Sequence, residues 1–146
     1  MPVARTIWLL GDAAQFEVLT SALREHGAEV ERIPADGLHA WLGEVSSERA
    51  PNALPALLVV SAETAWADDG HFIRTVCSHQ PWRFLPLVVV ASEDDPVRCN
   101  QTYDLGAAGW VVLPPHASDL GELAATFARY WLRTTLLPDI GPHARL

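Results

Sequence analysis

The chain is short of positive charge and of cysteine, and each shortage excludes a class of function. Its 146 residues include 10 Lys and Arg against 18 Asp and Glu, which gives a net charge of −8. Because affinity for nucleic-acid phosphates comes mainly from Lys and Arg, we expect no nucleic-acid binding. The cysteines, Cys77 and Cys99, both lie in predicted helices, so we expect free thiols rather than a disulfide.

Long apolar runs are also missing. The first apolar stretch, residues 7–10, is far shorter than the roughly 20 residues that a membrane-spanning helix needs, and it does not fit a signal peptide. We therefore expect a cytoplasmic protein without a membrane segment. The hydrophobic fraction of 49% indicates a well-filled core. We expect one domain over residues 1–146, with a C-terminal tail from about residue 139.

Short apolar runs alternate with amphipathic stretches along the whole chain. The runs lie at residues 7–10, 29–33, 57–60, 87–90 and 110–113. This alternation is typical of βα units and predicts an α/β fold with a five-stranded parallel sheet covered by helices on both faces. Between the strands, we expect Asp36 to cap the second helix and residues 62–70 to form a loop. The last helix is predicted from about residue 118 to 136.

The residues that end these runs occupy the place where a site would be. In an open parallel sheet, a ligand or reaction site lies at the carboxyl ends of the strands. The side chains available there are one carboxylate, two hydroxyls and alkyl groups, from Gly11, Asp12, Ser61, Ala91, Ser92 and Leu113. The scaffold of an enzyme-like site is therefore predicted without most of its reactive groups.

Two local motifs carry a resemblance to a known family. Residues 103–112, Tyr-Asp-Leu-Gly-Ala-Ala-Gly-Trp-Val-Val, resemble the receiver pattern Leu-Gly-Ala-x-x-Tyr-x-x-Lys-Pro. Tyr130-Trp131-Leu132 followed by Leu137-Pro138 is similar to the ending of stand-alone receivers that partner bacterial phytochromes. Residues 6–138 thus resemble the CheY-like receiver domains of two-component response regulators. That resemblance implies a flavodoxin-type fold with strand order 2-1-3-4-5.

The same resemblance implies where the family's phosphorylation site falls. The phosphoacceptor Asp falls at Ser61, and the acidic pair that holds Mg²⁺ falls at Gly11 and Asp12. The phosphoryl-contacting Lys falls at Leu113, and the aromatic switch position falls at Trp110. The family's hydroxyl residue falls at the alanine that ends the fourth strand, although the next residue is a serine. We therefore interpret the chain as a pseudo-receiver with a degenerate phosphorylation site, no cofactor and no enzymatic activity.

Two of these positions have an ordinary structural interpretation. A serine hydroxyl such as that of Ser61 is a poor nucleophile without an adjacent base, and the sequence places no histidine next to it. Asp12 alone would bind Mg²⁺ weakly, since the ion demands octahedral geometry and usually more than one carboxylate or phosphate ligand. We favour a solvated Asp12 or one that caps the first helix. The acidic cluster at residues 93–95 is interpreted as a solvated helix start, with cation binding as the alternative.

Aromatic residues near the C-terminus predict an interface. Apolar positions continue past the expected end of the sheet, and we expect a monomer to leave Trp131 largely uncovered. We predict a homodimer through the last two helices and the last strand; the interface candidates are Tyr103, Tyr130, Trp131, Leu132 and Leu136. The alternative is that the C-terminal segment folds back on its own domain. Of the other tryptophans, Trp66 and Trp82 are surface candidates, and Trp8, Trp41 and Trp110 are assigned to the interior.

Three functions follow from these residues. The leading one is a phosphorylation-independent receiver that acts in signal transduction by contact with a protein partner, either a sensor kinase or a regulator. The alternative is a small-molecule sensor whose neutral pocket lies near Asp12, Ser61 and Leu113. An enzyme using Asp12, Ser61 and Ser92 is the least favoured, because no base is evident.

Overall fold

The computed structural model describes residues 5–47 and 54–134, which form alternating strands and helices. The strands are β1 (Thr6–Leu10), β2 (Glu29–Ile33), β3 (Leu57–Ser61), β4 (Leu87–Ala91) and β5 (Gly109–Val112). The helices are α1 (Gln15–Glu25), α2 (Leu38–Ser46), α3 (Ala62–Trp66), α4 (His71–Ser78), α5 (Pro96–Asp104) and α6 (Leu120–Arg129). Within the described ranges, no helix is both long and apolar enough to cross a membrane.

The strands form a parallel sheet in the order β2-β1-β3-β4-β5, which confirms the predicted fold. Ser61 on β3 lies opposite Val90 on β4, and Ala91 lies opposite Val112 on β5. This register brings the carboxyl ends of the central strands to one edge of the sheet. The residues predicted to end the strands are therefore gathered at that edge.

Two apolar clusters fill the space on either side of the sheet. One lies beneath α1 and α6, with Phe16, Leu19 and Phe127 in its interior. The other lies beneath α2, α3 and α4, with Trp41 and Phe72. Strands β3 and β4 are buried throughout, as their unbroken apolar runs predict for strands covered on both faces. The alternating β2 is partly exposed at the sheet edge, as expected.

Two local predictions were wrong. Residues 62–66 are not loop but form α3, because the Ser61 side chain accepts a hydrogen bond from the Thr64 amide at 3.3 Å and so caps a helix start. Asp36 does not cap α2. It lies within a 3₁₀ turn, Ala35–Gly37, so Gly37 precedes the helix and no side chain caps it.

Trp82 is buried rather than exposed, contrary to the prediction. It is only 3% exposed and packs against Trp8 and Trp41, with ring centroids 5.6 and 5.2 Å away. The reason is the 3₁₀ turn Trp82–Phe84, which precedes β4 and places the indole in the cluster beneath α2 and α4. Trp66 is partly buried against the same cluster.

The last predicted helix, to about residue 136, is not α-helical over the whole of its described length. Helix α6 ends at Arg129, and a π-helical turn continues over Tyr130–Thr134; Leu136 and the predicted tail lie outside the described residues. Trp131 is 7% exposed, so the expectation that a monomer cannot cover it is wrong. Its ring lies 6.4 Å from that of Phe127 and beside Gly109, where a Cβ would lie 3.4 Å from the indole, at ordinary contact distance. The indole thus joins the cluster beneath α1 and α6 from the π-helical turn that follows α6.

Both cysteines have free thiols, as predicted. Cys77 lies on α4 and Cys99 on α5. Burial raises the pKa of the Cys77 thiol to about 11 from an ordinary value of 9.0. Cys77 therefore carries its proton at neutral pH and acts as a small apolar side chain.

Candidate functional site

The strand ends border a cleft of about 250 Å³. Four of the predicted site residues line it, namely Ser61, Ala91, Ser92 and Trp110. Gly11, Asp12 and Leu113 are not among the lining residues. The sheet therefore brings the predicted positions to one edge, but the side chains of only some of them face the cleft.

The Ser61 hydroxyl forms hydrogen bonds with Thr64, three residues later in the chain. Its side chain is buried at the end of β3, and its hydroxyl donates to Thr64 Oγ1 at 2.9 Å. The same oxygen accepts the Thr64 amide hydrogen at 3.3 Å, which caps α3. Both functions of the hydroxyl are thus used to start a helix, and its recorded partners include no base that could activate it as a nucleophile.

Gly11 has a backbone conformation that excludes a carboxylate. Its φ is +108°, which L-residues with a side chain rarely adopt. A Cβ at this position would lie 2.8 Å from Thr64 Oγ1 and 3.1 Å from Ser61 Oγ. The hydroxyls of the α3 cap therefore occupy the space of the family's first acidic side chain.

Asp12 is held away from the cleft. It is exposed, and its Oδ1 accepts a hydrogen bond from the Ala35 amide at 3.2 Å, beyond the end of β2. It does not cap α1, since no side chain caps that helix at Ala14. Among the described residues, no group of three or more His, Cys, Asp or Glu could hold a metal ion. With Gly11 and Ser61 supplying no carboxylate, the residues do not fit the Mg²⁺ site that the family implies.

Leu113 has become part of the core. It is 1% exposed and packs in the cluster beneath α1 and α6. All ten basic residues of the chain are arginines, so no alignment shift could place a lysine at the phosphoryl-contacting position. This absence is visible in the sequence and is a stronger signal than the substitution at Leu113 alone.

Gln15 is a site residue that the sequence analysis missed. It is 3% exposed in the first turn of α1 and lines the cleft. Its Nε2 donates to the Leu113 carbonyl at 2.9 Å and to Ser92 Oγ at 3.0 Å, so one amide joins the ends of β4 and β5. Ser92 is exposed and follows the buried Ala91, and its recorded partner is this amide. Both partners lie far from Gln15 in sequence, so no local pattern marks this residue.

Helices α3 and α5 are joined across the cleft. The Trp66 indole Nε1 donates to Thr102 Oγ1 at 2.9 Å, and the Arg98 guanidinium lies 4.3 Å from the centre of the same ring system. Asp95 caps α5 by accepting the Arg98 amide at 3.1 Å, ahead of Pro96 in the first turn. The acidic cluster thus begins a helix, as interpreted.

Trp110 is partly buried and packs with Trp66 against the cluster beneath α2 and α4. Its backbone amide donates to the Tyr103 hydroxyl at 3.3 Å. The indole Nε1 is fully enclosed and has no acceptor. A buried donor without a partner costs free energy, because it gives up its hydrogen bond to water on folding. The indole N–H of Trp110 therefore lowers the stability of the fold.

We expect Trp110→Phe to raise the free energy of unfolding by about 1 kcal/mol, because it removes an unsatisfied donor and keeps an aromatic ring. Trp66→Phe is the matched control. That change removes a satisfied indole bond and leaves the fully buried Thr102 hydroxyl unpaired, so it should lower the same free energy by about 1–3 kcal/mol. Urea denaturation measures both, and equal destabilisation by the two variants would contradict the expectation.

The strand order and the helices on both faces define a receiver fold of the CheY-like type. Solved structures of response regulators have a similar fold. The phosphorylated cyanobacterial phytochrome response regulator RcpA superposes with a TM-score of 0.76 at 19% identity, over 94% of this chain and 100% of that one. A response regulator receiver domain from Rhodospirillum rubrum superposes with a TM-score of 0.73 at 18% identity, over 93% of this chain and 99% of that one. The chemotaxis response regulator CheY4 of Vibrio cholerae superposes with a TM-score of 0.64 at 20% identity, over 89% of this chain and 100% of that one.

One curated protein gives a match in sequence. The two-component response regulator-like protein APRR9 of Arabidopsis thaliana is 24% identical over 143 residues, which cover 98% of this chain. The match spans 29% of the length of APRR9. Comparison with protein-family models found no match. The resemblance to receiver domains stated from the two local motifs is thus confirmed in the fold.

Proposed function

We propose that this chain is a phosphorylation-independent receiver-like domain that acts in signal transduction through contact with another protein. The observation that carries the proposal is the reuse of the phosphorylation positions as structure. Ser61 caps α3, and Leu113 packs in the core. Gly11 has a positive φ and lies against the hydroxyls of the α3 cap. None of these arrangements supports formation of an acyl phosphate, so the proposal includes no enzymatic activity and no cofactor.

The proposed partner is a sensor kinase or a regulator. RcpA is a phytochrome response regulator, and a further structure, at 16% identity and a TM-score of 0.68, is a response regulator in red light signalling of R. palustris. These names support a signalling partner for this chain, and the proposal places both partners in the cytoplasm. The acidic surface, with a net charge of −8, gives no support for nucleic acid as the partner.

The proposed contact surface is the face formed by α5, β5 and α6. A groove of about 340 Å³ runs along it between Tyr103, on α5, and Tyr130, after α6. These tyrosines are 49% and 51% exposed, and Leu132 is partly buried. Trp131 lies beneath Tyr130, with ring centroids 5.1 Å apart, so it supports the surface rather than forming it. We propose a homodimer through this face, because large exposed aromatics are typical of interface hot spots.

We expect a dimer in light scattering that dissociates when Tyr103→Ala and Tyr130→Ala are combined. Each aromatic hot spot is worth about 2 kcal/mol, or roughly 30-fold in Kd, so the double variant should be monomeric across the accessible concentrations. Phe84→Ala is the control, since Phe84 is equally exposed but lies before β4, away from this face. A wild-type monomer, or dissociation by the control alone, would contradict the proposed interface.

The absence of phosphotransfer is tested with acetyl phosphate and Mg²⁺. We expect the mass of the intact wild-type protein to stay unchanged after incubation, because the site offers neither a nucleophilic carboxylate nor a lysine. An active receiver of the same fold, treated in parallel, establishes that the conditions allow phosphorylation. Stoichiometric addition of a phosphoryl group to this chain would overturn the proposal.

A second candidate function is small-molecule sensing. One observation favours it: the cleft at the strand ends stays open, at about 250 Å³, although its neighbours Gly11 and Leu113 contribute no reactive group. Loss of the phosphorylation residues has therefore not been accompanied by collapse of the site. Concave sites with a few polar groups are where small ligands bind.

A further inference from the structure

Strand β5 has a neighbouring strand on one side only. It is the last strand in the sheet order, and its residues 110–112 are half-buried. The groove of about 340 Å³ between Tyr103 and Tyr130 runs along this open edge and is lined by every residue from 108 to 113. An edge strand presents unpaired amide and carbonyl groups, so it can pair with a strand from another chain.

The backbone of β5 directs two residues to the open edge. Along a parallel strand, alternate residues form their hydrogen bonds with the same neighbouring strand. The Leu113 amide donates to the Ala91 carbonyl on β4 at 2.8 Å, so Val112 has its amide and carbonyl on the other side. Trp110 faces that side as well, since its amide donates to the Tyr103 hydroxyl on α5 at 3.3 Å. Trp110 and Val112 therefore present their backbone groups to a strand outside this sheet.

Charge distinguishes the two edges of the sheet. The opposite edge strand, β2, is Glu-Val-Glu-Arg-Ile, and charged side chains on an edge strand oppose strand pairing. By contrast, β5 is Gly-Trp-Val-Val and carries no charge.

The helices beside β5 indicate which strand fits this edge. Each helix has charges of opposite sign near its two ends, Arg98 and Asp104 on α5 and Glu122 and Arg129 on α6. A two-fold axis perpendicular to the sheet would set each helix antiparallel to its own copy, with Arg98 toward Asp104 and Glu122 toward Arg129. This edge is therefore complementary in charge to a second copy of itself.

We propose that two copies of this chain pair their β5 strands in antiparallel orientation, so that the two sheets become one. With Val111 at the two-fold axis, Trp110 lies opposite the partner's Val112, and the two residues exchange their amide and carbonyl hydrogen bonds. An aromatic ring opposite a β-branched side chain is a favourable cross-strand pair. The partner's carbonyl replaces the Tyr103 hydroxyl as acceptor for the Trp110 amide. This assignment rests on the homodimer proposed above and specifies how the two copies meet.

The test places proline at both edges of the sheet. Val112→Pro removes an amide that faces the open edge, where proline is tolerated, and leaves the hydrogen bonds to β4 in place. We expect it to raise the Kd of the dimer about 30-fold in light scattering, because each copy loses one donor. Val30→Pro on β2 is the matched control. Glu29 donates to the Arg5 carbonyl at 2.8 Å, so Val30 faces outward too, and this change should leave the Kd unaltered.

Hydrogen exchange of the full wild-type chain gives a second measurement, which stays decisive if the Val112 variant does not fold. The Val112 amide should exchange about tenfold or more slowly at concentrations where the chain is dimeric than where it is monomeric. The Val30 amide should exchange at the same rate in both.

Two outcomes would overturn the strand pairing. A dimer whose Val112 amide exchanges as fast as in the monomer, and which Val112→Pro leaves intact, would mean contact through side chains alone. The homodimer proposed above would then stand without the pairing. A chain that stays monomeric at every accessible concentration would remove both the pairing and the homodimer.

Discussion

Gly11→Asp, which returns the family's acidic residue, is expected to lower the free energy of unfolding by about 3 kcal/mol or more. A side chain at a positive φ costs about 1–2 kcal/mol, since Cβ approaches the following carbonyl oxygen. Here the new Cβ would also lie 2.8 Å from Thr64 Oγ1, and the carboxylate would enter a buried position. Chemical denaturation of the two proteins measures the loss.

Ser61→Asp is the matched control for that prediction. It also adds one carboxylate to the site, but aspartate caps a helix as well as serine does, so α3 keeps its first hydrogen bond. A second check isolates the steric part. Thr64→Ala removes the hydroxyl that a Cβ at position 11 would meet, so Gly11→Ala should cost less in that background. Equal stability of Gly11→Asp and wild type would show that the backbone at residue 11 does not exclude a side chain.

Leu113→Lys, which returns the phosphoryl-contacting lysine, is expected to lower the free energy of unfolding by about 3–5 kcal/mol. Leu113 is 1% exposed among apolar side chains of α1 and α6, and burying a charge without a partner costs several kcal/mol. The control is Leu113→Met, which conserves volume and should cost less than about 1.5 kcal/mol. If the lysine variant proves as stable as the methionine variant, position 113 is open to solvent and the core assignment is wrong.

These two substitutions bear on whether the family's residues could be accommodated at positions 11 and 113. The surroundings of Gly11 and Leu113 disfavour the family's residues at both positions. Thr64 and the α3 cap fill the place of the first carboxylate, and the α1–α6 core encloses the end of β5. We therefore expect single reversions to damage the fold before they restore any chemistry.

The strands were predictable because their signal is local. Five apolar runs with polar ends predicted the sheet, and the alternation in Glu29–Ile33 marked β2 as an exposed edge strand within the observed bounds. Strand order came from the resemblance carried by residues 103–112 and the C-terminal aromatics. The helix in residues 62–66 was missed because its start depends on the Ser61 side chain turning back onto Thr64, which composition does not reveal.

Burial of particular aromatics was less predictable, because it depends on distant partners. Trp131 is covered by a cluster that includes residues of α1 and of the central strands, more than 20 residues earlier in the chain. Trp82 is buried by Trp8 and Trp41, which come from other elements. A tryptophan beside a loop looks exposed when only its own neighbours in sequence are considered.

The sequence predicted which residues occupy the candidate site but not how they are arranged. The substituted positions followed from the resemblance, whereas the positive φ of Gly11 and the role of Gln15 required the fold. Gln15 joins the ends of β4 and β5 through residues 77 and 98 positions away in sequence, so no local pattern could reveal it. The lack of any lysine could have been used at once, because it does not depend on alignment.

We propose that this receiver fold lacks the whole machinery of phosphotransfer and not only its phosphoacceptor. The most direct test incubates Ser61→Asp with acetyl phosphate and Mg²⁺ and measures the mass of the intact protein. We expect no phosphorylation of this variant, as of wild type, because the Asp12 side chain bonds the Ala35 amide and the chain contains no lysine. Stoichiometric phosphorylation of Asp at position 61 would contradict it, since one substitution would then separate this chain from an active receiver.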